Sequence, residues 1–489
     1  MDKDKLKRAT ASGLLFRFGE RFLAQLITTV VTVVLARILL PEDYGIISIV
    51  AVLITLLNVF VSHGLGNALV QKKEYSQEDY STMFWAGLVI SVFLYFGIFV
   101  SSPLIASFYG NPLISDILRV MALRLPLAAV NSVQHAYVSH KLMFKKFFCV
   151  TLISTVVSGI VGIAMAYIGY GVWALVGQYI SNVTLSTVLL LCFITWRPTL
   201  SFSFGRFKAL FAFGWKVMAA EFINTLYEEI RSLIIGKKYG PGDLSFYTKG
   251  QQFPQLIGNN VSTTLTGVMF PVFSKLQDDI ESLKAAVRRS IRMSLFALLP
   301  MMIGFFIVAE NFVSVILTDK WLECVPYIRI FCVVYMFKPI KNINKSTLKA
   351  LGRAEINLYV EIAEKILGVA LILLTMNLGV KYLAFSVLVT YILGAITDAF
   401  INGRFLRYGV LEQLKDVLPE FCASVLMGTV VYFVGCLPVQ SALLALVMQV
   451  AVGIVFYVAL CSILRLESFV YLWKTVKKYF FRRKRTVEE

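Results

Sequence analysis

The sequence predicts an all-α protein that crosses a membrane about fourteen times, and three observations carry this prediction. The chain has 489 residues, of which 58% are hydrophobic and 16% charged, with a mean hydropathy of +0.75. Soluble domains contain about 45–50% apolar and about 25% charged residues. The apolar residues are gathered in runs of helical length, and the basic residues are concentrated in every second loop between those runs. A water-soluble enzyme of this size is therefore disfavoured.

The apolar runs define the elements. A bilayer core about 30 Å thick requires about 20 apolar residues in a helix. The first run follows a basic N-terminus and has no small-residue cleavage site, which predicts a retained helix. No large soluble domain fits between the fourteen runs, which are 14–36, 46–70, 80–101, 113–137, 147–167, 172–194, 209–235, 245–271, 293–309, 325–348, 356–376, 382–402, 417–435 and 441–463.

The loops predict the orientation. The net charge of +18 comes from 47 Lys and Arg against 29 Asp and Glu. About 30 of those basic residues lie in the loops and ends on one side, and about five lie in the alternate loops, a bias that marks the cytoplasmic side. Both termini are therefore expected in the cytoplasm, as an even number of helices requires. Most of the positive charge then reflects orientation rather than a partner.

An internal repeat divides the chain. The stretch 35–45, with Pro41 and Asp43, recurs after 200 residues as 235–243, with Pro241 and Asp243. The alternative to a true repeat is that a proline turn between helices recurs by chance. Because six helices separate the copies, the repeat is parallel, an arrangement known from transporters. The predicted domains are a six-helix lobe at 1–200, a second six-helix lobe at 201–408, two further helices at 409–465 and a basic cytoplasmic tail at 466–489.

Polar residues enter four of the predicted helices on single faces. These are the first, second, seventh and eighth, which are equivalent pairs of the repeat, and their polar faces predict a hydrated cavity. The alternative is that small polar residues pack the helices and that charges pair near the inner surface. The candidates for contacts with a sugar are Asn58, Gln252, Gln255 and Asn259.

The tenth predicted helix differs because it carries lysines without an acid. Lys338 and Lys341 lie on one face with Lys345, and Lys338 is expected near the middle of the membrane. Snorkelling explains Lys345 better than it explains the other two. Unpaired cations on one face favour an anionic ligand. The full set of predicted anion-binding residues is Arg17, Arg21, Arg124, Lys249, Lys338 and Lys341.

Acids inside the predicted helices are candidates for a coupling ion. Burial raises the pKa of a carboxyl group and a nearby cation lowers it, so that protonation can follow the opening of a transporter. The candidates are Glu20, Glu221, Glu228 and Asp398.

Catalytic and metal-binding patterns are missing from the sequence. It contains no Walker A motif, dinucleotide-binding glycine pattern, nucleophile elbow or H-E-x-x-H. The seven cysteines form no C-x-x-C pair and are predicted to be reduced packing residues, and the three histidines lack zinc-ligand spacing. No enzyme activity, cofactor or metal is expected. The basic, aromatic segment 474–485 indicates contact with anionic lipid rather than nucleic acid.

Several stretches resemble one family. Residues 35–45, 66–74, 169–176 and 270–279, together with Asp319-Lys-Trp321 and 328–333, are similar to the bacterial polysaccharide flippases. These belong to the multidrug/oligosaccharidyl-lipid/polysaccharide exporter superfamily, and the resemblance is closest to the branch of the colanic acid and teichuronic acid exporters. It spans about residues 1–465.

The resemblance implies a V-shaped, two-lobed bundle that works by alternating access with a cationic cavity in the cytoplasmic membrane. The implied substrate is an undecaprenyl-diphosphate-linked oligosaccharide repeat unit, and the implied pathway partners are a polymerase and glycosyltransferases. The seventh predicted helix carries three glutamates, which is a departure from the net positive cavity that the resemblance implies. The alternatives are a multidrug or lipid II-type exporter on the same fold and, from another class, a membrane polysaccharide polymerase or ligase. The latter is disfavoured because no external loop exceeds about 15 residues, whereas such enzymes carry their catalytic groups in a large one.

Overall fold

The computed structural model describes residues 23–63, 69, 76–439 and 441–474, which are mostly helical and contain no strand. Arg17, Glu20 and Arg21 lie outside these residues. The α-helices, in chain order, are α1 Leu23–Ile38, α2 Pro41–Asn58, α3 Gln77–Tyr109, α4 Leu113–Met121, α5 Arg124–Lys141, α6 Phe144–Ile168, α7 Val172–Phe193, α8 Phe204–Lys238, α9 Pro241–Lys275, α10 Ile280–Phe312, α11 Val325–Met336, α12 Lys338–Ala350, α13 Ala354–Thr375, α14 Val380–Leu406, α15 Val410–Gly435 and α16 Ala442–Ile463.

The predicted all-α membrane fold is confirmed. Within the described residues, eight helices are long and apolar enough to cross a membrane, namely α2, α3, α6, α7, α10, α14, α15 and α16. The total of fourteen crossings stays a prediction. Two of the predicted runs, 113–137 and 325–348, each consist of two helices. In the second, Pro339 near the start of α12 cannot donate a backbone hydrogen bond to α11.

Contacts between helices divide the chain into two units, Met1–Ser245 and Phe246–Glu489. The boundary falls near the start of α9, so that α8 belongs to the first unit. The domain boundaries predicted at 200, 408 and 465 stay predictions.

The repeated proline motif has the same local structure in both copies. Pro41 is the first residue of α2 and Pro241 the first residue of α9, and each follows a short non-helical segment. In the first copy the Asp43 carboxylate accepts a hydrogen bond from the backbone N–H of Leu40 at 3.1 Å. The two copies also contact each other, because a Cβ atom on Gly45 would lie 1.8 Å from the carbonyl oxygen of Pro241. Glycine at position 45 is therefore required for this close approach.

In the first unit, the start of α3 is tied to the connection between α7 and α8. Gln77 donates to the carbonyl of Arg197 at 2.7 Å and accepts a hydrogen bond from the indole N–H of Trp196, also at 2.7 Å. The Arg206 guanidinium pairs with Glu78 at 2.9 Å and with buried Asp79 at 3.1 Å. These contacts fix the polar end of α3 beside the α7–α8 connection.

In the second unit, α10 begins at a side-chain cap and packs in two apolar clusters. Hydrogen bonds from the Ser282 hydroxyl and backbone N–H hold the pKa of the Asp279 carboxyl below its usual value. One cluster includes the buried residues Phe273, Leu283, Val287, Ile291, Ile343, Leu406 and Tyr408. The other contains Val308 with residues of α15 and α16. Helix α10 therefore contributes to both of these clusters.

Three ion pairs join α10 to α15 in one register. Successive basic residues one turn apart on α10 pair with successive acids one turn apart on α15, which places the two helices in parallel. The pairs are Lys284 with Glu412 at 3.0 Å, Arg288 with Asp416 at 2.5 Å and Arg292 with Glu420 at 3.4 Å. Burial increases along the series, because the Glu412 side chain is 53% exposed whereas that of Glu420 is fully buried.

This increase in burial predicts that removing the basic partner of a buried acid lowers the free energy of unfolding more than removing that of an exposed acid. Arg292→Gln should lower the free energy of unfolding by about 3 kcal/mol, because it leaves a buried carboxylate without its cation. Lys284→Gln should cost less than about 1 kcal/mol, because its partner is exposed to solvent. Unfolding of both variants in mixed lipid–detergent micelles provides the measurement. Equal losses of unfolding free energy in the two variants would show that the burial of the acid does not determine the strength of these ion pairs.

Candidate functional site

Helix α9 carries a polar face inside the second unit. Lys249, Gln252, Gln255 and Asn259 lie within about 120° of its surface at 100° per residue. Each of these side chains is buried or half-buried. These four side chains of the predicted polar face are therefore at least partly covered by other residues of the protein.

Lys249 is the most buried cation of this face. Its side chain is only 5% exposed, and its ammonium group donates to the Gln252 side-chain oxygen at 3.3 Å. The same ammonium lies 5.7 Å from the centre of the Trp321 ring. A buried charge requires such polar and aromatic partners. The Gln252 amide and the Trp321 ring therefore help to stabilise the charge of Lys249.

Two glycines bring α9 close to α11. A Cβ atom on Gly250 would lie 2.4 Å from the Cβ of Tyr327, and one on Gly258 would lie 3.0 Å from the Cβ of Tyr335. Small residues permit such close packing between membrane helices. The Gln251 amide also donates to the Tyr335 hydroxyl at 3.4 Å. The glycines thus allow α9 to pack closely along α11.

The break after α11 directs Lys338 towards this face. Lys338 is the first residue of α12, and its ammonium group donates to the side-chain oxygen of Asn259. It also lies 5.3 Å from the ring centre of Tyr335. We call Lys249, Gln252, Asn259 and Lys338 the lysine–amide face. Two cations and two amides, with no carboxylate among them, can donate hydrogen bonds to phosphate and to sugar hydroxyls.

A second group of charges lies on α12, α13 and α14. Lys341 pairs with Glu364 at 3.0 Å, and Lys345 pairs with Glu364 at 3.3 Å and with Glu361 at 3.7 Å. Asp398 of α14 is near enough to interact electrostatically with all four. We call Lys341, Lys345, Glu361, Glu364 and Asp398 the buried charge cluster. It contains two bases and three acids.

The expectation that Lys341 is an unpaired cation is wrong. The tenth predicted helix indeed contains no acid, but its neighbour α13 supplies Glu361 and Glu364. Spacing within one helix does not reveal a partner 23 residues away on another helix. The assignment of Lys341 to an anion site stays a prediction.

Asp398 is the least satisfied carboxylate of the buried charge cluster. Its side chain is fully buried, and neither oxygen accepts a hydrogen bond from another described residue. One turn earlier on α14, a Cβ atom on Gly394 would collide with the ends of Lys341 and Glu364. The absence of a side chain at position 394 therefore makes room for this ion pair beside Asp398.

The other predicted site residues that the structure describes belong to the first unit. Arg124 begins α5 and lies 5.2 Å from the ring centre of Tyr179. The Asn58 side-chain oxygen accepts a hydrogen bond from the Ser62 hydroxyl at 3.1 Å. Glu221 and Glu228 of α8 are half-buried and exposed, respectively. Their roles stay predictions.

Aromatic residues of the site were not predicted from the sequence. Trp321 lies against Lys249, Tyr335 against Lys338, and Tyr391 lies 4.9 Å from the Lys341 ammonium. The rings of Tyr335 and Tyr391 are 6.4 Å apart, which connects the lysine–amide face to the buried charge cluster. One signal in the sequence could have located Lys338, because the adjacent Pro339 marks the helix break that positions the lysine.

A family model described as polysaccharide biosynthesis protein matches residues 34–326, more than half of the chain. The chain belongs to the polysaccharide biosynthesis protein family. Among its relatives, the succinoglycan biosynthesis transport protein ExoT of Rhizobium meliloti is 27% identical over 59% of this chain and 58% of its own length. The chain thus matches less than two thirds of ExoT.

Two further relatives of this polysaccharide biosynthesis protein are matched over longer stretches. The teichuronic acid biosynthesis protein TuaB of Bacillus subtilis is 22% identical over 82% of this chain and 84% of its own length. The lipopolysaccharide biosynthesis protein WzxC of Escherichia coli is 24% identical, over 66% of each chain. The predicted resemblance to this family is therefore confirmed.

Solved structures show the same fold. The lipid II flippase MurJ, in an inward closed conformation, matches with a TM-score of 0.74 at 15% identity, covering 92% of this chain and 98% of its own. An inward-facing multidrug transporter of the MATE family, from the MOP superfamily, matches with a TM-score of 0.61 at 13% identity, covering 78% of this chain and 93% of its own. The chain is thus a multi-pass membrane protein that shares its fold with MurJ and with this MATE transporter.

Proposed function

We propose that this protein is a flippase that moves an undecaprenyl-diphosphate-linked oligosaccharide repeat unit across the bacterial cytoplasmic membrane by alternating access. Relatives named for succinoglycan, teichuronic acid and lipopolysaccharide biosynthesis support a surface polysaccharide as the destination. We further propose that both termini are cytoplasmic, which the distribution of Lys and Arg among the loops supports.

The lysine–amide face is the observation that carries this proposal. A diphosphate and a sugar chain lose their hydration when they leave water, and groups of the protein must replace it. Lys249 and Lys338 offer charge-assisted hydrogen bonds to the phosphates. Gln252 and Asn259, which already hydrogen-bond with these lysines, offer amides to the sugar. The polyprenyl chain needs no such replacement and stays in lipid.

Asp398 is the coupling candidate that the structure supports best. It lies on α14 beside two lysines whose other partners are Glu361 and Glu364. Protonation of Asp398 would remove the excess negative charge of the buried charge cluster. Glu221 and Glu228 are the other candidates among the described residues. We propose that transport involves no chemical step on the substrate and no cofactor. In the pathway, transport follows the glycosyltransferases that build the repeat unit and precedes a polymerase.

Deletion of the gene in its source bacterium tests the transport function. We expect surface polysaccharide to fall to background while diphosphate-linked repeat units accumulate in the cytoplasmic leaflet, as measured by accessibility to added probes in inverted vesicles. Additional loss of the glycosyltransferase that starts the repeat unit should abolish the accumulation. Normal surface polysaccharide together with increased sensitivity to cationic drugs would instead indicate a multidrug exporter.

A further inference from the structure

A cavity of about 320 Å³ lies between the start of α10 and the helical residues 467–474 that follow α16. Three arginines of α10 line it, together with one acid, one hydroxyl and one aromatic ring from the later segment. These residues are Arg288, Arg289, Arg292, Glu467, Ser468 and Tyr471. The cavity is separate in sequence from the lysine–amide face and the buried charge cluster.

The arginines retain donors for a ligand. Arg288 pairs with Asp416, and Arg292 pairs with Glu420 and Glu467, contacts that use only part of the five N–H donors of each guanidinium. Arg289 is exposed, makes no ion pair within the described residues and lies 5.1 Å from the ring centre of Tyr471. Of the three arginines, Arg289 is therefore the one that forms no ion pair with a carboxylate of the described residues, although the three arginines together meet three acids, Asp416, Glu420 and Glu467.

The rim of the cavity has the character of a membrane surface. Tyr471, which lines the cavity, is 45% exposed, and the next two residues of its segment, Leu472 and Trp473, are 39% and 63% exposed. Aromatic side chains of this kind concentrate at the boundary between lipid and water. The nearby end of α16 exposes Ile463 by 77% on a helix apolar enough to cross the membrane. An arginine-lined cavity is thus bordered by surfaces suited to acyl chains.

We propose that this cavity binds the phosphodiester headgroup of an anionic phospholipid, with Arg289 as its main charged contact. Basic cavities beside membrane helices are suited to such headgroups. A lipid fits better than soluble phosphate, because exposed apolar side chains continue from the rim. The site takes lipid from the cytoplasmic leaflet in the proposed orientation, but its chemistry is independent of the transported substrate.

The test measures thermal unfolding of the purified full chain in detergent during titration with dioleoylphosphatidylglycerol. The midpoint should rise in a saturable way, whereas dioleoylphosphatidylcholine and sodium phosphate should have no such effect. Arg289→Gln should weaken the apparent affinity about fivefold, as expected for one basic residue at a membrane surface. Glu467→Gln should strengthen it, because it removes the acid from the cavity.

Arg353→Gln is the matched control, because Arg353 is also exposed and stacks on an aromatic ring, that of Phe405 at 5.6 Å. It should leave the affinity unchanged, and any contribution of the basic tail is the same in every variant. Equal stabilisation by phosphatidylcholine or by phosphate alone would overturn the proposal. So would equal effects of Arg289→Gln and Arg353→Gln. The gain expected from Glu467→Gln cannot result from misfolding.

Discussion

Glu364→Gln should destabilise the protein by about 3 kcal/mol, whereas Asp398→Asn should leave its stability unchanged or raise it. Glu364 is 13% exposed and is the shared partner of Lys341 and Lys345, so that its loss leaves two buried ammonium groups poorly compensated. Asp398 is buried without a hydrogen bond from any described residue, in a cluster that already has more acids than bases. Neutralising it relieves a buried charge.

Glu361→Gln is the matched control for this comparison. Glu361 lies on the same helix as Glu364, but its side chain is 41% exposed and its distance to Lys345 is 3.7 Å. It should therefore change the free energy of unfolding, measured in lipid–detergent micelles, by less than about 1 kcal/mol. Asp398→Asn should also abolish the dependence of transport on a pH gradient. A destabilisation by Asp398→Asn equal to that by Glu364→Gln would contradict the charge balance described for the cluster.

The helical membrane fold could be predicted from the sequence because apolar length is a local property. A run such as 382–402 needs no knowledge of its neighbours to be assigned, and α14 covers it as Val380–Leu406. The helix break inside 325–348 also has a local cause, Pro339. It was missed because the residues on both sides of it follow one uninterrupted helical pattern. The ion pairs between α10 and α15 join residues 128 positions apart, and no helical periodicity predicts which acid meets which base.

The candidate site shows the same division. Hydropathy and helical spacing placed Lys249, Gln252 and Asn259 on one face of α9, and the structure keeps them there. They could not show that Lys341 is paired, because its charge is balanced by Glu364 on a different helix. They also could not distinguish Lys338 from Lys341, although one contacts an amide and the other a carboxylate. Partner identity across helices decides which cation is available to an anion.

The double substitution Lys249→Gln and Lys338→Gln should lower surface polysaccharide export much more than either single change. Each lysine is expected to contribute a charge-assisted hydrogen bond to the diphosphate, worth about 1.5–3 kcal/mol. Loss of one such contact corresponds to about a tenfold weaker interaction or more. Glutamine retains a hydrogen-bond donor and most of the side-chain volume, so that the change removes mainly charge. Export per unit of membrane-inserted protein, in a strain lacking the chromosomal copy, provides the measurement.

Lys349→Gln is the control on α12, because Lys349 is exposed at the end of the same helix. It should leave export unchanged, and Lys338→Arg should restore part of the activity lost in Lys338→Gln because arginine also binds phosphate. Lys341→Gln offers a sharper contrast, since the Lys341 charge is matched by Glu364 and its loss should act mainly on stability. If the double variant inserted normally and exported at the original rate, the diphosphate would have to be held by residues outside the lysine–amide face.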